Sequence, residues 1–324
     1  MRAIVVDRWM EPSELVVRDA PEPTLRAGTM LVDVRAAGCN FFDILMAKGQ
    51  YQVRPPFPFT PGAEVAGVVR AVADDVRGFA PGDRVLSAPG IGAFAERALV
   101  LANATWGIPD GMSFEEAASF PIVYPTSYAG LVYRAMLRPG ETLLVHAAAG
   151  GVGIAAVQIG KALGARVIAT AGGAEKLAIA RQAGADVLID YRTNTWVDAV
   201  KEATGGRGAD VIYDSVGGDT TDLSLKCIAW NGRLLVIGFA SGRIPEVKLN
   251  RVLLKNIAVT GLHWGAHAVH EPARVAETFD ALFALYAAGA VRPIVYARHP
   301  LAELPAALEA LGSRKSYGKI VVVP

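Results

Sequence analysis

Cysteine is almost missing from this sequence: Cys39 and Cys227 are the two present in 324 residues, and they lie far apart. Two thiols cannot build a zinc module, and a disulfide framework is not expected in a chain with this much apolar material. Charge of one sign is lacking too. Lys and Arg number 32 against 31 Asp and Glu, for a net charge of +1 with no block of like charges. That balance leaves no electrostatic footprint for nucleic acid or an anionic membrane. Long hydrophobic runs are also absent, since the apolar stretches are strand-sized and fall short of the ~20 residues a membrane span needs. The opening MRAIVVDRWMEPSELVV reads as a first strand and not as a signal peptide. The cytoplasm is the expected address.

What is present is apolar mass, 52% of residues, with 19% charged. That describes a globular chain long enough for two domains, each with its own core. Residues 1 to about 120 carry short strand-like runs broken by Pro and Gly, such as MLVDVRAAG, EVAGVVRAV and GDRVLSA. Helical patterning begins at SFEEAASF, where Ser113 followed by Glu116 predicts a capping box. From about 122 strands and helices alternate: ETLLVHA, GIAAVQIGKALG, RVIATA, EKLAIARQAG, then VLIDY, DVIYDSV, RLLVIGF and IAVTGLH. This rhythm predicts right-handed βαβ crossovers and a parallel sheet. A helix (PARVAETFDALFALYAAG), strand-like PIVYARH, helical LPAALEAL and terminal KIVVV complete the chain.

The strongest local signal is HAAAGGVG, residues 146–153, which follows the strand LLVHA and opens a helix. Glycines there let backbone N–H groups approach a pyrophosphate, whose charge also meets the positive end of the helix dipole. Ala148 fills the first glycine position of the dinucleotide-binding pattern, while Gly150 and Gly153 fit it. Ala149, Gly150, Gly151, Val152 and Gly153 are the expected cradle, and a complete βαβ unit surrounds them. An NAD enzyme usually carries Asp or Glu at the end of the second strand. Here that strand ends at Ala171, followed by Gly172, Gly173 and then Lys176. Without the carboxylate a 2′-phosphate is not repelled, Lys176 can reach it, and the next strand end supplies Tyr191 and Arg192. NADPH is the expected cofactor.

The whole chain resembles the medium-chain dehydrogenase/reductase superfamily, in the zinc-free NADPH:quinone oxidoreductase branch that includes zeta-crystallin. The matching stretches are AAGCNFFD, GQY followed by PFPFTPGAEVAGVV, GDRV, SFEEAASFPIVYPTSY, HAAAGGVG, GADVIYDSVGG and SRKSYGKIVVV. The resemblance implies an α/β fold: a Rossmann-type doubly wound parallel sheet domain at 122–261, and a GroES-like irregular β-barrel substrate domain split between 1–121 and 262–324. It would put the active site in the cleft between them. In zinc alcohol dehydrogenases of the superfamily the ligands come from Gly-x-Cys-His and Gly-His-Glu motifs. This chain reads Gly38-Cys39-Asn40-Phe41 and Gly62-Ala63-Glu64, so Asn40 and Ala63 stand at the ligand positions and neither suits zinc. His263, His267 and His270 are expected to be ordinary loop or surface histidines, and His146 a packing residue.

Without a metal to polarise an alcohol, a conjugated acceptor is the easier substrate. Catalysis is then positioning plus a hydrogen-bond donor where charge develops. By resemblance, Asn40 and Tyr51 line the pocket, with Tyr51 as acid or oxyanion partner, and Thr126 touches the nicotinamide ribose or ring. Tyr191 and Arg314 would join Lys176 around the adenosine phosphate, and Phe239 and Trp264 would flank the nicotinamide. Asp43 and Glu64 read as structural, and Phe41, Phe42 and Phe59 as pocket wall or core. Relatives commonly dimerise through the edge strands of the parallel sheet, so a homodimer is expected. Three functions stay open: a quinone reductase, an enone, enal or enoyl-thioester reductase, and a non-catalytic NADPH-binding protein.

Overall fold

The computed structural model describes residues 1–193 and 195–324. The chain divides into two compact units, Met1–Ile122 with Pro293–Pro324, and Val123–Arg292. Among the described residues no helix is long and apolar enough to cross a membrane.

The first unit contains β1 (Arg2–Ile4), β2 (Val17–Asp19), β3 (Thr29–Cys39), β4 (Val65–Val72), β5 (Arg84–Ser87), β6 (Arg97–Leu101) and β7 (Thr105–Gly107). The second carries β8 (Thr142–Val145), β9 (Arg166–Ala171), β10 (Val187–Asp190), β11 (Ala209–Asp214), β12 (Ile228–Val236) and β13 (Ala258–Gly261). The chain then returns to the first unit for β14 (Val295–Pro300) and β15 (Lys319–Val323).

In the second unit the strand order is β10-β9-β8-β11-β12-β13, and every pairing is parallel. This is the doubly wound order, with its switch point between β8 and β11. Parallel strands covered on both faces must be apolar throughout, and β8 is buried at all four positions. Leu144, Ile168, Ile189, Ile212 and Leu234 form a core with Trp196 and Val200. Each such buried side chain contributes roughly 1.5–3 kcal/mol. The cofactor candidates of this unit follow the carboxyl ends of strands: the 146–153 turn after β8, Gly172 and Gly173 after β9, Tyr191 after β10, and Phe239 after β12.

In the first unit the main sheet runs β14-β15-β3-β4-β5-β7, with β6 also on β3. The long β3 shares one edge between two partners: β6 pairs with Thr29–Asp33 and β15 with Ala37–Cys39. Ile4, Met30, Val32, Phe94, Leu304, Leu308, Ile320 and Val322 belong to one core, so distant chain segments build it together. The expected capping box holds, with Ser113 Oγ accepting from Glu116 N at 3.1 Å and Glu116 Oε2 from Ser113 N at 3.0 Å. Residues 262–292, given by sequence to the first domain, fall in the second unit. There the helix Pro272–Ala287 packs by placing the Arg274 guanidinium 4.4 Å over the Tyr133 ring and Thr278 Oγ1 3.2 Å from Tyr133 OH.

Candidate active site

The turn after β8 is shaped by backbone contacts. Ala147 takes a left-handed φ of +48°, Ala148 N donates to Thr170 O at 3.0 Å, and Gly150 N donates to Ala147 O at 2.8 Å. The helix Gly151–Ala162 starts at once. A Cβ at Gly153 would lie 2.3 Å from Ala147 O, so only glycine lets the helix approach the turn this closely. The amides of Gly151, Val152 and Gly153 fall in the first helical turn, where no intrahelical carbonyl accepts them. The turn therefore fits an anion such as a dinucleotide pyrophosphate.

His146 is buried beside this turn. Ser224 Oγ donates its one hydrogen to Thr220 O at 2.6 Å, so its oxygen is left to accept from His146 Nε2 at 2.8 Å. Nδ1 then accepts from Thr170 Oγ1 at 2.9 Å. The ring is held neutral, and burial pushes its pKa down to about 4. This supports the reading of His146 as a packing residue. Thr126 is half-buried on the helix Val123–Ala129. Its neighbour Ser127, which sequence reasoning missed, donates to Val152 O at 2.9 Å and accepts from Tyr213 OH at 2.9 Å, tying that helix to the turn.

Beyond β9, Gly172 and Gly173 lie under side chains from the end of β10. A Cβ at Gly172 would meet Tyr191 OH at 2.8 Å, and one at Gly173 would meet the Arg192 guanidinium at 3.2 Å. Lys176 follows on the first turn of the helix Ala174–Gln182. Asp190 is a second residue missed. It closes β10 rather than β9, yet its carboxylate accepts from Gly173 N at 3.2 Å and from Arg192 Nη2 at 2.6 Å. Arg192 holds that carboxyl down at about 2. Gly172, Gly173, Tyr191 and Arg192 thus share one corner, and Lys176 follows three residues after Gly173. Phe239 packs against Gly217, where a Cβ would lie 2.9 Å from its ring. Trp264 stacks on His267 with centroids 5.2 Å apart. Among the described residues no three His, Cys, Asp or Glu side chains gather to hold a metal.

In the first unit β3 leads into Asn40, which caps the helix Phe41–Ala47 in an extended conformation. Asp43 Oδ2 accepts from Asn40 N at 2.7 Å, and Asn40 Nδ2 donates to Glu64 Oε1 at 2.8 Å. Lys319, a third residue missed, donates from Nζ to Cys39 O and Asn40 Oδ1, each at 2.7 Å, and to Glu64 Oε1 at 2.6 Å. Glu64 Oε2 accepts from Ile122 N at 3.0 Å. All four side chains are buried. Gly38 makes room for them, since a Cβ there would lie 2.4 Å from Glu64 Oε1. Burial pushes the Asp43 carboxyl up to about 7, and its Oδ1 has no hydrogen-bond partner among the described residues. Tyr51 is half-buried and stacks on Phe42 at 5.2 Å. Burial, and then the Asp43 charge, raise its pKa above the ordinary value, so the phenol is protonated at neutral pH. Phe59 belongs to the core, whereas Phe41 is exposed. Arg314 is exposed, with a left-handed φ of +57° after the helix Leu304–Gly312.

Residues 26–110 match the alcohol dehydrogenase GroES-like domain, and 151–298 match the zinc-binding dehydrogenase domain. The quinone oxidoreductase-like protein 2 homolog of Nematostella vectensis is 41% identical over 99% of this chain and 88% of its own length. The chain belongs to the zeta-crystallin-like quinone oxidoreductases of the medium-chain dehydrogenase/reductase family. It is an oxidoreductase with a Rossmann-type and a GroES-like part. Escherichia coli quinone oxidoreductase, solved in complex with NADPH, superposes with a TM-score of 0.92 at 32% identity, covering all of both chains. The CurK enoyl reductase superposes at 0.90 and 27% identity, covering 99% of this chain and 98% of its own. The matched zinc-binding description raises the question of a catalytic zinc. The donor set does not suit one, because a carboxamide and a methyl group stand at the ligand positions and an ammonium holds the oxygens beside them.

Proposed function

We propose that this chain is a zinc-independent, NADPH-dependent oxidoreductase that reduces a quinone. The observation that carries the reading is the second unit's phosphate-shaped turn, with Lys176 on the helix after β9 and Tyr191 and Arg192 just past β10. The first-turn amides of Gly151, Val152 and Gly153 would hold the pyrophosphate, and Lys176 with Arg192 the 2′-phosphate. Thr126 and Phe239 would border the nicotinamide, and Arg314 would add charge at the adenosine phosphate. The first unit would carry the acceptor. NADPH, when bound, supplies a hydride to the electron-poor acceptor. The chain's own task is to hold the acceptor and meet the negative charge that develops on its oxygen. Asn40 offers an amide N–H. Tyr51 offers a phenolic proton, which burial keeps in place until the acceptor becomes basic, and its half-exposed ring lets solvent return that proton. One hydride and one proton convert a quinone to its hydroquinone.

The same phenol favours a second reading, reduction of a conjugated C=C bond with Tyr51 as acid, which the likeness to an enoyl reductase also supports. The test is NADPH oxidation, without added metal, across quinones, enals, enones and an enoyl thioester. Fast turnover on quinones alone supports the first reading, and the reverse order the second. Failure on every acceptor sinks both and leaves a non-catalytic NADPH binder. Tyr51→Phe is expected to lower kcat on the enoyl compounds by about 100-fold or more and less on quinones, with NADPH binding unchanged.

A homodimer is proposed through the edge strand β13. Val259 there is 41% exposed, and Leu249, Leu253 and Leu254 on the helix before it are also exposed, an apolar edge that invites pairing.

A further inference from the structure

The buried ammonium of Lys319 takes no part in the reaction written above, yet it sits on a residue that does. Its three hydrogen bonds, to Cys39 O, Asn40 Oδ1 and Glu64 Oε1, use all the hydrogens it has. Glu64 Oε1 also accepts from Asn40 Nδ2. The Asn40 carboxamide is thereby gripped at both ends, oxygen on the ammonium and one N–H on the carboxylate. Turning the amide over would set its NH2 against the ammonium and its oxygen against the carboxylate, so one orientation is fixed. The second hydrogen on Nδ2 has Gly38 O at 3.5 Å, the far limit of a hydrogen bond. It is the hydrogen left for a substrate oxygen.

A cation on the amide oxygen also draws electron density from the nitrogen. In a cluster where Glu64 is 0% and Lys319 4% exposed, solvent does little to screen that effect. Stability gives no separate reason for the pair, because a buried ammonium–carboxylate pair adds little over well-packed apolar side chains. We propose that Lys319 is a positioning residue: it fixes and polarises the Asn40 carboxamide so that its second N–H meets the charge developing on the acceptor oxygen. The inference rests on the reading of Asn40 as a substrate-side donor.

Lys319→Gln combined with Glu64→Gln removes both charges together, so neither is left buried alone. The double variant is expected to keep its thermal midpoint within a few degrees and its KM for NADPH. Direct loss of an oxyanion donor costs roughly 100–1,000-fold in kcat, so loosening one is expected to cost about tenfold. In 15N-labelled protein the Asn40 side-chain NH2 signals, slow to exchange with solvent in the wild type, should exchange quickly in the variant. A folded double variant with wild-type kcat and protected Asn40 signals would overturn the proposal and leave Lys319 structural. If that variant does not fold, the wild type decides: a Lys319 ammonium signal in slow exchange near neutral pH supports the grip, and fast exchange refutes it. Absence of wild-type turnover on every acceptor defeats the functional reading instead, while the NMR signals still report whether Lys319 holds Asn40.

Discussion

Gly153→Ala sets two effects of known size against each other. A Cβ at this position would lie 2.3 Å from Ala147 O and 2.8 Å from Ala148 Cα, where ordinary contact is 3.4–4 Å. Both neighbours are backbone, so relief requires the helix start to move from the turn by about 1 Å. Overpacking of this kind costs roughly 1–3 kcal/mol, and the better helix propensity of Ala returns about 1 kcal/mol. The fold should therefore lose little, on the order of 1 kcal/mol. The anion site loses more. Each charge-assisted hydrogen bond to a phosphate contributes about 1.5–3 kcal/mol. Misplacing two of the three amides should then weaken NADPH binding by roughly 100-fold or more. Fluorescence titration with NADPH, run beside thermal unfolding, separates the two effects. Wild-type affinity in a folded variant would refute the assignment of the turn as the pyrophosphate cradle. A loss of stability as large as the loss of binding would show that the helix start had simply unravelled.

Other outcomes follow from the same geometry. Arg192→Ala and Lys176→Ala should each weaken NADPH by about tenfold and leave NADH nearly unchanged; equal losses for both cofactors would remove these residues from the 2′-phosphate site. His146 sets a pH limit. Its folded pKa is about 4 against an ordinary 6.5, so above 6.5 both folded and unfolded chains hold it neutral and stability is unaffected. As pH falls from 6.5 towards 4 the unfolded chain takes a proton that the folded one refuses, and stability drops by up to about 1.4 kcal/mol per pH unit. Denaturant unfolding at several pH values should show this slope in the wild type and not in His146→Gln. An identical slope in both would mean that other groups govern the acid limb.

Much of the second unit could be read directly, because strands buried on both faces must be apolar and the helices between them carry a different period. RVIATA and KIVVV coincide with β9 and β15. The expected strand at RLLVIGF instead begins earlier, at Ile228. Asn231, at φ +61°, interrupts the apolar pattern there without ending the pairing to β11. The helix Pro272–Ala287 shows the same period whichever unit it packs on, so the sequence alone does not show to which unit it belongs. Motifs single out Asn40 and Tyr51 as candidates. They do not single out the partners of Asn40, since Lys319 reads locally as the charged start of an apolar strand and meets Cys39 across 280 residues. Asp190 does not stand out in the sequence, because the acid that the cofactor pattern expects belongs to the end of β9, whereas Asp190 closes the neighbouring strand β10.

The placement of β15 between β14 and β3 governs the order in which the chain can become native. Until residues 319–323 arrive, β3 keeps part of one edge open, and Glu64 and Asn40 lack the ammonium that compensates them. The second unit has no such dependence, because Val123–Arg292 is one uninterrupted stretch that can close its own sheet while the first unit waits. During synthesis the phosphate-binding turn is thus expected to mature before the Asn40 cluster. A chain truncated before β15 should retain a cooperative second unit and leave the first open to proteolysis.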